Sequence, residues 1–471
     1  MGEITLRLNK ETSTPLFEQL YAFIKKEIVA GNFAKNEKLP SKRKLAADLQ
    51  CSQNTIQAAY NQLVDEGYLI SRNKSGYYVA ELDGILRLEK TNRAASPDQN
   101  EPLAYTYDFT PQGVDFDHFP FSLWRRISKE VINDYDKDLL RTGDPKGYPG
   151  LRSSIARYLH NSRGVNCHMD QIIISSGTEF LLQLLIQLLD AFSVYAIENP
   201  GYEKLNLLFK SSRVEYVSVP LDAHGMKPET LEEYHADVAC ITPSHQFPTG
   251  CIMPVNRRIQ LLNWAYEKRE RYIIEDDYDS EFRYSGKPIP SLQGIDREGK
   301  VIYMGAFSKS LSPALRVSYM VLPEQLIRLY HEKLSFYICP VPTIEQKTLQ
   351  RFIDEGHFER HLNRMRNLYR QKRETLVTAI HEKLSGAQVE GASSGLHFTL
   401  CVGNGMSERQ LIKAAADCKA KVYGISRYYS SPPPDNSGNT LLLGFATLKI
   451  AEIDDAVSLL RKAWYEAERQ H

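Results

Sequence analysis

The sequence predicts an α/β protein: a layered domain with a largely parallel sheet, a small α+β lobe after it, and a helical module in front. Three observations carry this. From about residue 105, short apolar runs ("QIIIS", "VYAIE", "VEYVSV", "DVACIT", "RYIIE", "VIYMG", "SYMVL") alternate with longer helical patterns, the rhythm of strand–helix–strand units. The first 80 residues are helix-patterned and end in the short alternating stretch "GYYVAEL". From about residue 350 a long charged helix, "RFIDEGHFERHLNRMRNLYRQKRETLVTAI", opens a mixture of shorter strands and helices. The division is therefore a module over 1–81, a linker over 82–104 that loses periodicity and gathers Asn, Ala, Ser, Pro and charge, a large domain over 105–349, and a small lobe over 350–471. "SSPPPDNSGN" (430–439) is a loop by composition.

The 471 residues hold 58 basic and 58 acidic side chains, so overall charge announces no nucleic-acid partner. The first 80 carry 11 Lys+Arg against 8 Asp+Glu, a sign that suits a DNA-contacting end. "MGEITLRLNK" has no apolar core of leader length, and the longest apolar tract, "FLLQLLIQLLDAF", is short and interrupted by glutamine, so no membrane association is expected. Seven scattered cysteines, odd in number and without a CxxC pair, read as reduced packing residues of a cytoplasmic protein. His357 and His361 have helical spacing but lack the HExxH order and a third ligand, so no metal is expected.

In the amino-terminal module, "LFEQLYAFIKKEI" places Leu16, Leu20, Phe23, Ile24 and Ile28 on one helical face. "LPSKRKLAADL" opens a second helix at Pro40 and Ser41 that buries Leu45 and Leu49. "CSQNTIQAAYNQLVDEGYL" gives a third, N-capped by Ser52, with Ile56, Ala59, Tyr60 and Leu63 inward. Its outward amides, Gln53, Asn54, Gln57 and Asn61, suit bidentate pairing with adenine edges in a major groove. "ISRNKSGYYVA" reads as a two-stranded wing, with Arg72 and Lys74 for phosphates and Gly76 at its tip. A small helical interaction domain with a solvated polar face has the same periodicity.

In the large domain, four strand ends carry distinctive residues, and ligands of open α/β sheets bind beyond the carboxyl ends of strands. "IIISSGTEFLLQLL" sets Ser176, Gly177 and Thr178 between strand and helix, where free N–H groups and the helix dipole form an anion seat. "YAIENPGYEKL" offers Tyr202, an aromatic face for a flat ring. "RYIIEDDYDSEF" releases Asp276, Asp277 and Tyr278 after a buried run, and one strand–helix unit later "VIYMGAFSKS" delivers Lys309. Singly these are weak. A lysine after a strand is commonly a solvated cap, and "EDDYDSE" also suits a metal-binding turn or a solvated loop. Together they supply what pyridoxal phosphate requires: an amine for a Schiff base, a carboxylate that keeps the pyridine nitrogen protonated, a phenol, an aromatic cover and a phosphate seat.

"LPSKRKLAADLQCSQNTIQAAYNQLVDEGYLISRNKSGYYV" closely resembles the winged helix-turn-helix of GntR-type repressors. "GDPKGYPGLRSSIARYL", "SSGTE", "ENPGY", "PSHQFPTG", "EDDYDSEF" and "FSKSLSPALR" resemble fold-type-I aminotransferase signatures, in the wording of the aminotransferase-like domain of MocR/GabR-type transcription regulators. The resemblance spans essentially the whole chain. It implies that Ser41, Arg43 and Lys44 contact the DNA backbone and that Gln53, Asn54 and Gln57 read bases. It further implies that Lys309 holds pyridoxal 5'-phosphate as an internal aldimine, Asp276 pairs the pyridine nitrogen, Tyr278 bonds the ring hydroxyl and Tyr202 stacks on the ring. Gly177, Thr178, Ser308 and Arg316 would surround the phosphate, and Arg427 would anchor an amino-acid carboxylate.

Three positions depart from the pattern. Phe247 replaces the asparagine of N-P-[TS]-G, Ala306 replaces a phosphate-binding hydroxyl three residues before the lysine, and Lys204 stands where aminobutyrate-sensing members carry arginine. The expectation is an effector-responsive regulator of operator DNA in which an amine or amino acid displaces Lys309, forms an external aldimine and alters DNA binding. The resemblance also implies a domain-swapped homodimer. The alternatives are a working aminotransferase and a regulator that senses pyridoxal phosphate itself.

Overall fold

The computed structural model describes residues 14–81, 105–133, 137–189, 192–284, 289–430 and 438–466, with Leu6, Leu8, Asn9, Thr12 and Gly286. The linker expected over 82–104 and most of the 430–439 loop lie outside these residues. The chain divides between Glu101 and Pro102 into two units.

Apolar spacing decides the first unit. Helices α1 (Leu16–Val29), α2 (Lys42–Asp48) and α3 (Gln53–Asp65) precede a hairpin of β1 (Leu69–Arg72) and β2 (Gly76–Val79). Leu20, Ile24 and Ile28 of α1, Leu45 of α2 and Ile56, Ala59, Tyr60 and Leu63 of α3 share one core with Leu69 and Val79. Leu16 and Phe23 are half-buried at its margin. Ser41 and Ser52 cap α2 and α3, their hydroxyls accepting from the N–H groups of Lys44 and Thr55, so each helix starts where its capping residue sits. The hairpin pairs Leu69 with Val79 and Arg72 with Gly76. Gly76, expected at the wing tip, instead opens the return strand, and Lys74 occupies the turn in the left-handed region, at φ 59°.

The second unit is built on an eight-stranded sheet in the order β3-β10-β9-β8-β7-β4-β5-β6. The strands are β3 (Ile172–Ser175), β4 (Tyr195–Asn199), β5 (Tyr216–Asp222), β6 (Gly225–Met226), β7 (Val238–Ile241), β8 (Tyr272–Asp277), β9 (Val301–Ala306) and β10 (Ser318–Val321), with helix α4 (Thr178–Leu188) following β3. The run from β9 through β8, β7 and β4 to β5 is parallel, and β10 lies antiparallel between β9 and β3. Strands β3, β4, β7 and β10 are buried at every residue, as a sheet covered on both faces requires. After β4 the chain lays β5 on one side and then β7 on the other. The carboxyl ends of β4 and β7 therefore flank a topological switch point, where open α/β sheets hold ligands.

The small lobe stacks α5 (His357–Lys383) against an antiparallel sheet of order β11-β12-β14-β13, with β11 (Gln388–Glu390), β12 (His397–Cys401), β13 (Tyr423–Gly424) and β14 (Thr440–Gly444). The single charged helix expected here is two, Thr343–Asp354 and α5, separated at Gly356 with φ 72°. The first of them packs into the large-sheet core through Leu349 and Phe352, and α5 adds Phe358 and Leu362 to the same core. Conversely, Phe109 and Val114, from the start of the unit, sit in the small-lobe core with Phe398 and Leu441. His357 pairs with Glu355 at 3.1 Å, and His361 is buried. Among the described residues no helix is long and apolar enough to cross a membrane.

One buried ion pair ties the opening segment to α5. Lys372 Nζ lies 2.6 Å from Asp115 Oδ2, the two side chains being 3% and 7% exposed. Burial alone would raise the Asp115 carboxyl, but hydrogen bonds from Lys372 and His118 override it and hold it below its ordinary 3.8. Its contribution is present above that value and is lost as pH falls through the lowered folded value. Lys372→Met should lower stability by about 3–5 kcal/mol at neutral pH. The readout is urea unfolding followed by tryptophan fluorescence, since Trp124, Trp264 and Trp464 all lie in the second unit. Lys372→Met/Asp115→Leu should recover much of the loss.

Candidate functional site

Most of the residues expected to face DNA are exposed in the first unit. Arg43 and Lys44 are exposed on the first turn of α2, and Gln53 and Asn54 are exposed on the first turn of α3. Ser41 is also exposed, with its oxygen engaged in capping α2. Gln57 is half-buried: its Nε2 donates to Asn61 Oδ1 at 2.5 Å and Tyr77 Oη at 2.9 Å, and its Oε1 accepts from Lys42. The outward amide row is thus split, Gln53 and Asn54 facing solvent and Gln57 tying α3 to α2 and the wing. Arg72 donates to Asn36 Oδ1 at 3.1 Å and lies 4.5 Å over the Tyr78 ring, which holds it beside the wing.

In the second unit, loops at the carboxyl edge of the sheet converge on a cavity of about 200 Å³. Lys309, Asp276, Tyr278, Tyr202, Gly177, Thr178, Ser308, Arg316 and Lys204 all line it, with Gln112, Thr242 and Phe247. Arg427 lies outside, at an adjoining mouth shared with Tyr202, Lys204 and Gln112.

Strand alternation selects Asp276 from the run Glu275-Asp276-Asp277. Glu275 accepts from the N–H groups of Leu292 and Gln293 at 2.8 and 2.9 Å. Asp277 accepts from Arg163 Nε at 2.7 Å and from Tyr303 Oη at 2.5 Å. Asp276, between them, points the other way, into the cavity, and its Oδ1 is buried without a hydrogen-bond partner. Burial, then the neighbouring Asp277 and Glu198, push its carboxyl up to about 7. Glu198, which accepts from Thr242 Oγ1 at 2.6 Å, is likewise pushed up to about 7 by burial. A buried site with surplus acidity, whose cavity-facing Asp276 Oδ1 has no hydrogen-bond partner, is completed by a cationic N–H, which is what the protonated ring nitrogen of pyridoxal phosphate offers.

Lys309 follows β9 on the same edge. Its Nζ donates to the Gln112 carbonyl at 2.6 Å, and burial lowers its pKa from 10.5 to about 8. At neutral pH that gives roughly a few hundred times more free amine than an ordinary lysine carries, so the side chain is prepared to attack a carbonyl. The Tyr202 and Tyr278 rings each stand perpendicular to the Phe247 ring, with centroids 5.8 and 6.1 Å from it and planes at 88°. Phe247 thus fills the position of the family's asparagine with an aromatic floor for the two tyrosines.

The residues expected to form an anion seat lie at the start of α4. Gly177 precedes α4 at φ 96°, and a Cβ there would come within 2.1 Å of Arg316 Nη2, so glycine alone lets the guanidinium approach the helix N-terminus. Arg316 Nη2 donates to Ser176 O at 3.3 Å and Glu179 Oε2 at 3.1 Å. Lys204 Nζ lies 3.7 Å from Glu179. At the adjoining mouth, Arg427 pairs with Glu203 at 2.9 Å, both half exposed.

Several groups in or beside the cavity carry no sequence signal of their own. Gln112 and Thr242 enter through backbone position, and Glu198 and Glu179 through their place at a strand end and a helix start. His245 lies inside the quoted stretch "PSHQFPTG", yet only the fold reveals that its Nδ1 is 3.0 Å from Tyr278 Oη.

Two family models match separate stretches of the chain. Residues 16–79 match the family model "Bacterial regulatory proteins, gntR family", and residues 115–457 match "Aminotransferase class I and II". The uncharacterized HTH-type transcriptional regulator YdeL of Bacillus subtilis is 40% identical over 464 residues, covering 98% of this chain and 99% of the relative. The probable rhizopine catabolism regulatory protein MocR of Rhizobium meliloti is 32% identical over 479 residues, covering 98% of this chain and 96% of the relative. Among solved structures, the kynurenine aminotransferase of Pyrococcus horikoshii, in complex with PMP, aligns with a TM-score of 0.68 and 26% identity over 78% of this chain and 92% of that one. The chain therefore belongs to the MocR-type transcriptional regulators, in which a GntR-type helix-turn-helix is joined to an aminotransferase class I and II domain.

Proposed function

We propose that this regulator binds pyridoxal 5'-phosphate in the cavity around Lys309 and uses it to sense an amine or amino acid, which alters its binding to operator DNA. The observation that carries the reading is the meeting of a lysine whose pKa lies near 8 with a buried, partnerless Asp276 oxygen in one cavity. When bound, the cofactor supplies an aldehyde carbon that exchanges one amine for another. Lys309 would hold that carbon, and its amine is the group with which an effector amine would compete for it. Asp276 keeps the proton on the ring nitrogen, Tyr278 donates to the ring oxygen and Tyr202 covers the ring face. The amides at Gly177 and Thr178, the Ser308 hydroxyl and Arg316 hold the phosphate. Arg427 and Lys204, at the mouth, select an effector that carries a carboxylate. The protein works as a cytoplasmic homodimer.

Sensing is favoured over turnover by what the lining leaves out. Phe247 offers the ring oxygen no hydrogen bond, and Ala306 offers the phosphate none, so the lining retains the means to hold a cofactor and lacks groups that transamination uses.

Lys309→Ala should abolish the visible absorbance of cofactor-loaded protein, together with every spectral change caused by amino acids, dipeptides or simple amines. A visible band that survives in Lys309→Ala assigns the linkage to another lysine. In the first unit, Arg43→Ala should weaken binding evenly across DNA sequences and reduce the slope of log K against log salt by about one. An unchanged slope in fluorescence anisotropy removes Arg43 from the phosphate contacts.

A further inference from the structure

Tyr278 has a partner that none of the assignments above uses. His245 is 1% exposed, and its Nδ1 faces two oxygens, Tyr278 Oη at 3.0 Å and Asp279 Oδ2 at 3.0 Å. The other ring nitrogen, Nε2, is buried and has no hydrogen-bond partner. A proton on Nε2 would be a buried donor without an acceptor, whereas a proton on Nδ1 meets a carboxylate and a phenol oxygen. We propose that His245, held by Asp279 in its Nδ1–H form, is a positioning residue that turns the Tyr278 hydroxyl proton into the cavity, toward the ring oxygen of the cofactor. The inference rests on the reading of the cavity as a pyridoxal phosphate site.

Donors and acceptors decide which way the Tyr278 hydroxyl points. With its proton on Nδ1, His245 has no lone pair to offer the phenol. The Tyr278 oxygen can only accept from that side, so its own O–H is free to point at the ligand. Burial, then Asp279 and Asp276, hold the Tyr278 phenol well above 10, so the proton stays on it.

The small lobe fixes the pair. Gly395 lies so close that a Cβ there would meet His245 Cε1 at 2.0 Å and Asp279 Oδ2 at 2.5 Å. The His397 ring of β12 lies 4.9 Å from the His245 ring. His397 is itself kept neutral, its pKa driven well below 6.5 by burial, then by His245 and Lys309. The titratable groups facing His245 are therefore Asp279 and Tyr278 from the segment after β8 and His397 from the small lobe.

Two measurements on the full chain test the inference. In cofactor-free protein labelled with ¹⁵N-histidine, the His245 signals, assigned by their loss in His245→Asn, should report a proton on Nδ1; a proton on Nε2 overturns the proposal. In cofactor-loaded protein, the pH midpoint of the visible absorbance reports how strongly the ring oxygen's charge is met by a donor, because a weaker donor leaves the Lys309 linkage holding its proton to higher pH. Tyr278→Phe should raise this midpoint by about one unit, and His245→Leu by about half of that.

His245→Leu should add nothing in a chain that already carries Tyr278→Phe, since it acts through the phenol. His245→Asn, whose amide N–H can stand where Nδ1–H stands, should keep the midpoint near its original value. A midpoint unmoved in His245→Leu, or moved equally with and without Tyr278, makes His245 a packing residue and overturns the proposal. A chain that takes up no cofactor defeats the cavity's assignment instead, and the ¹⁵N result still decides the His245 proton.

Discussion

Asp276 holds a carboxyl whose Oδ1 is buried without a partner and whose pKa burial and neighbouring acids lift to about 7, an arrangement that is costly until a cation completes it. Much of the sheet's carboxyl edge can be understood from that constraint. Glu275, on one side, accepts from two backbone N–H groups, and Asp277 Oδ2, on the other, accepts from Arg163 and Tyr303, so the strand is secured without drawing on Asp276. The acid alone is left facing the cavity, opposite a lysine whose amine burial brings to about 8. A cationic ring nitrogen and a carbonyl carbon within one flat molecule answer both demands.

The small lobe is part of the same economy of contacts. Gly395 and His397 press on the His245–Asp279 pair, and Tyr428 meets Phe247 edge-on with centroids 5.0 Å apart. A ligand that changes the order of the cavity therefore changes what the small lobe rests on. An effector need favour one of two states by only about 1–3 kcal/mol to act as a switch, comparable to one charge-assisted hydrogen bond. That is within reach of the contacts that join lobe and cavity.

Much of this was legible in the sequence because its signals are local. The seven apolar runs became strands of the large sheet, four of them buried at every residue, as a sheet covered on both faces requires. The caps at Ser41 and Ser52 fixed two helix starts. That Lys309, Asp276, Tyr278 and Tyr202 share one cavity was legible through their order at strand ends and through family resemblance.

What escaped was long-range or a matter of competition between partners. No periodicity tells that Gln57 turns back to Asn61 and Tyr77, because the choice is made by an aromatic on the wing. Nothing local assigns Phe109 to a core formed some three hundred residues later, or separates the charged helix at Gly356 when its flanks are equally helical. His245 was visible as a letter, but its chemistry depends on a tyrosine from another strand end.

The most direct test of the account is the reciprocity it requires. Linkage demands that a ligand which weakens or strengthens DNA binding by some factor have its own affinity changed by the same factor when DNA is present. With cofactor-loaded protein and a DNA fragment selected by the full chain, anisotropy gives the first factor, and absorbance titration of the responding amine, with and without the fragment, gives the second. The account predicts two equal factors different from one, both lost in Lys309→Ala. DNA affinity that is the same with and without cofactor and amine would contradict it.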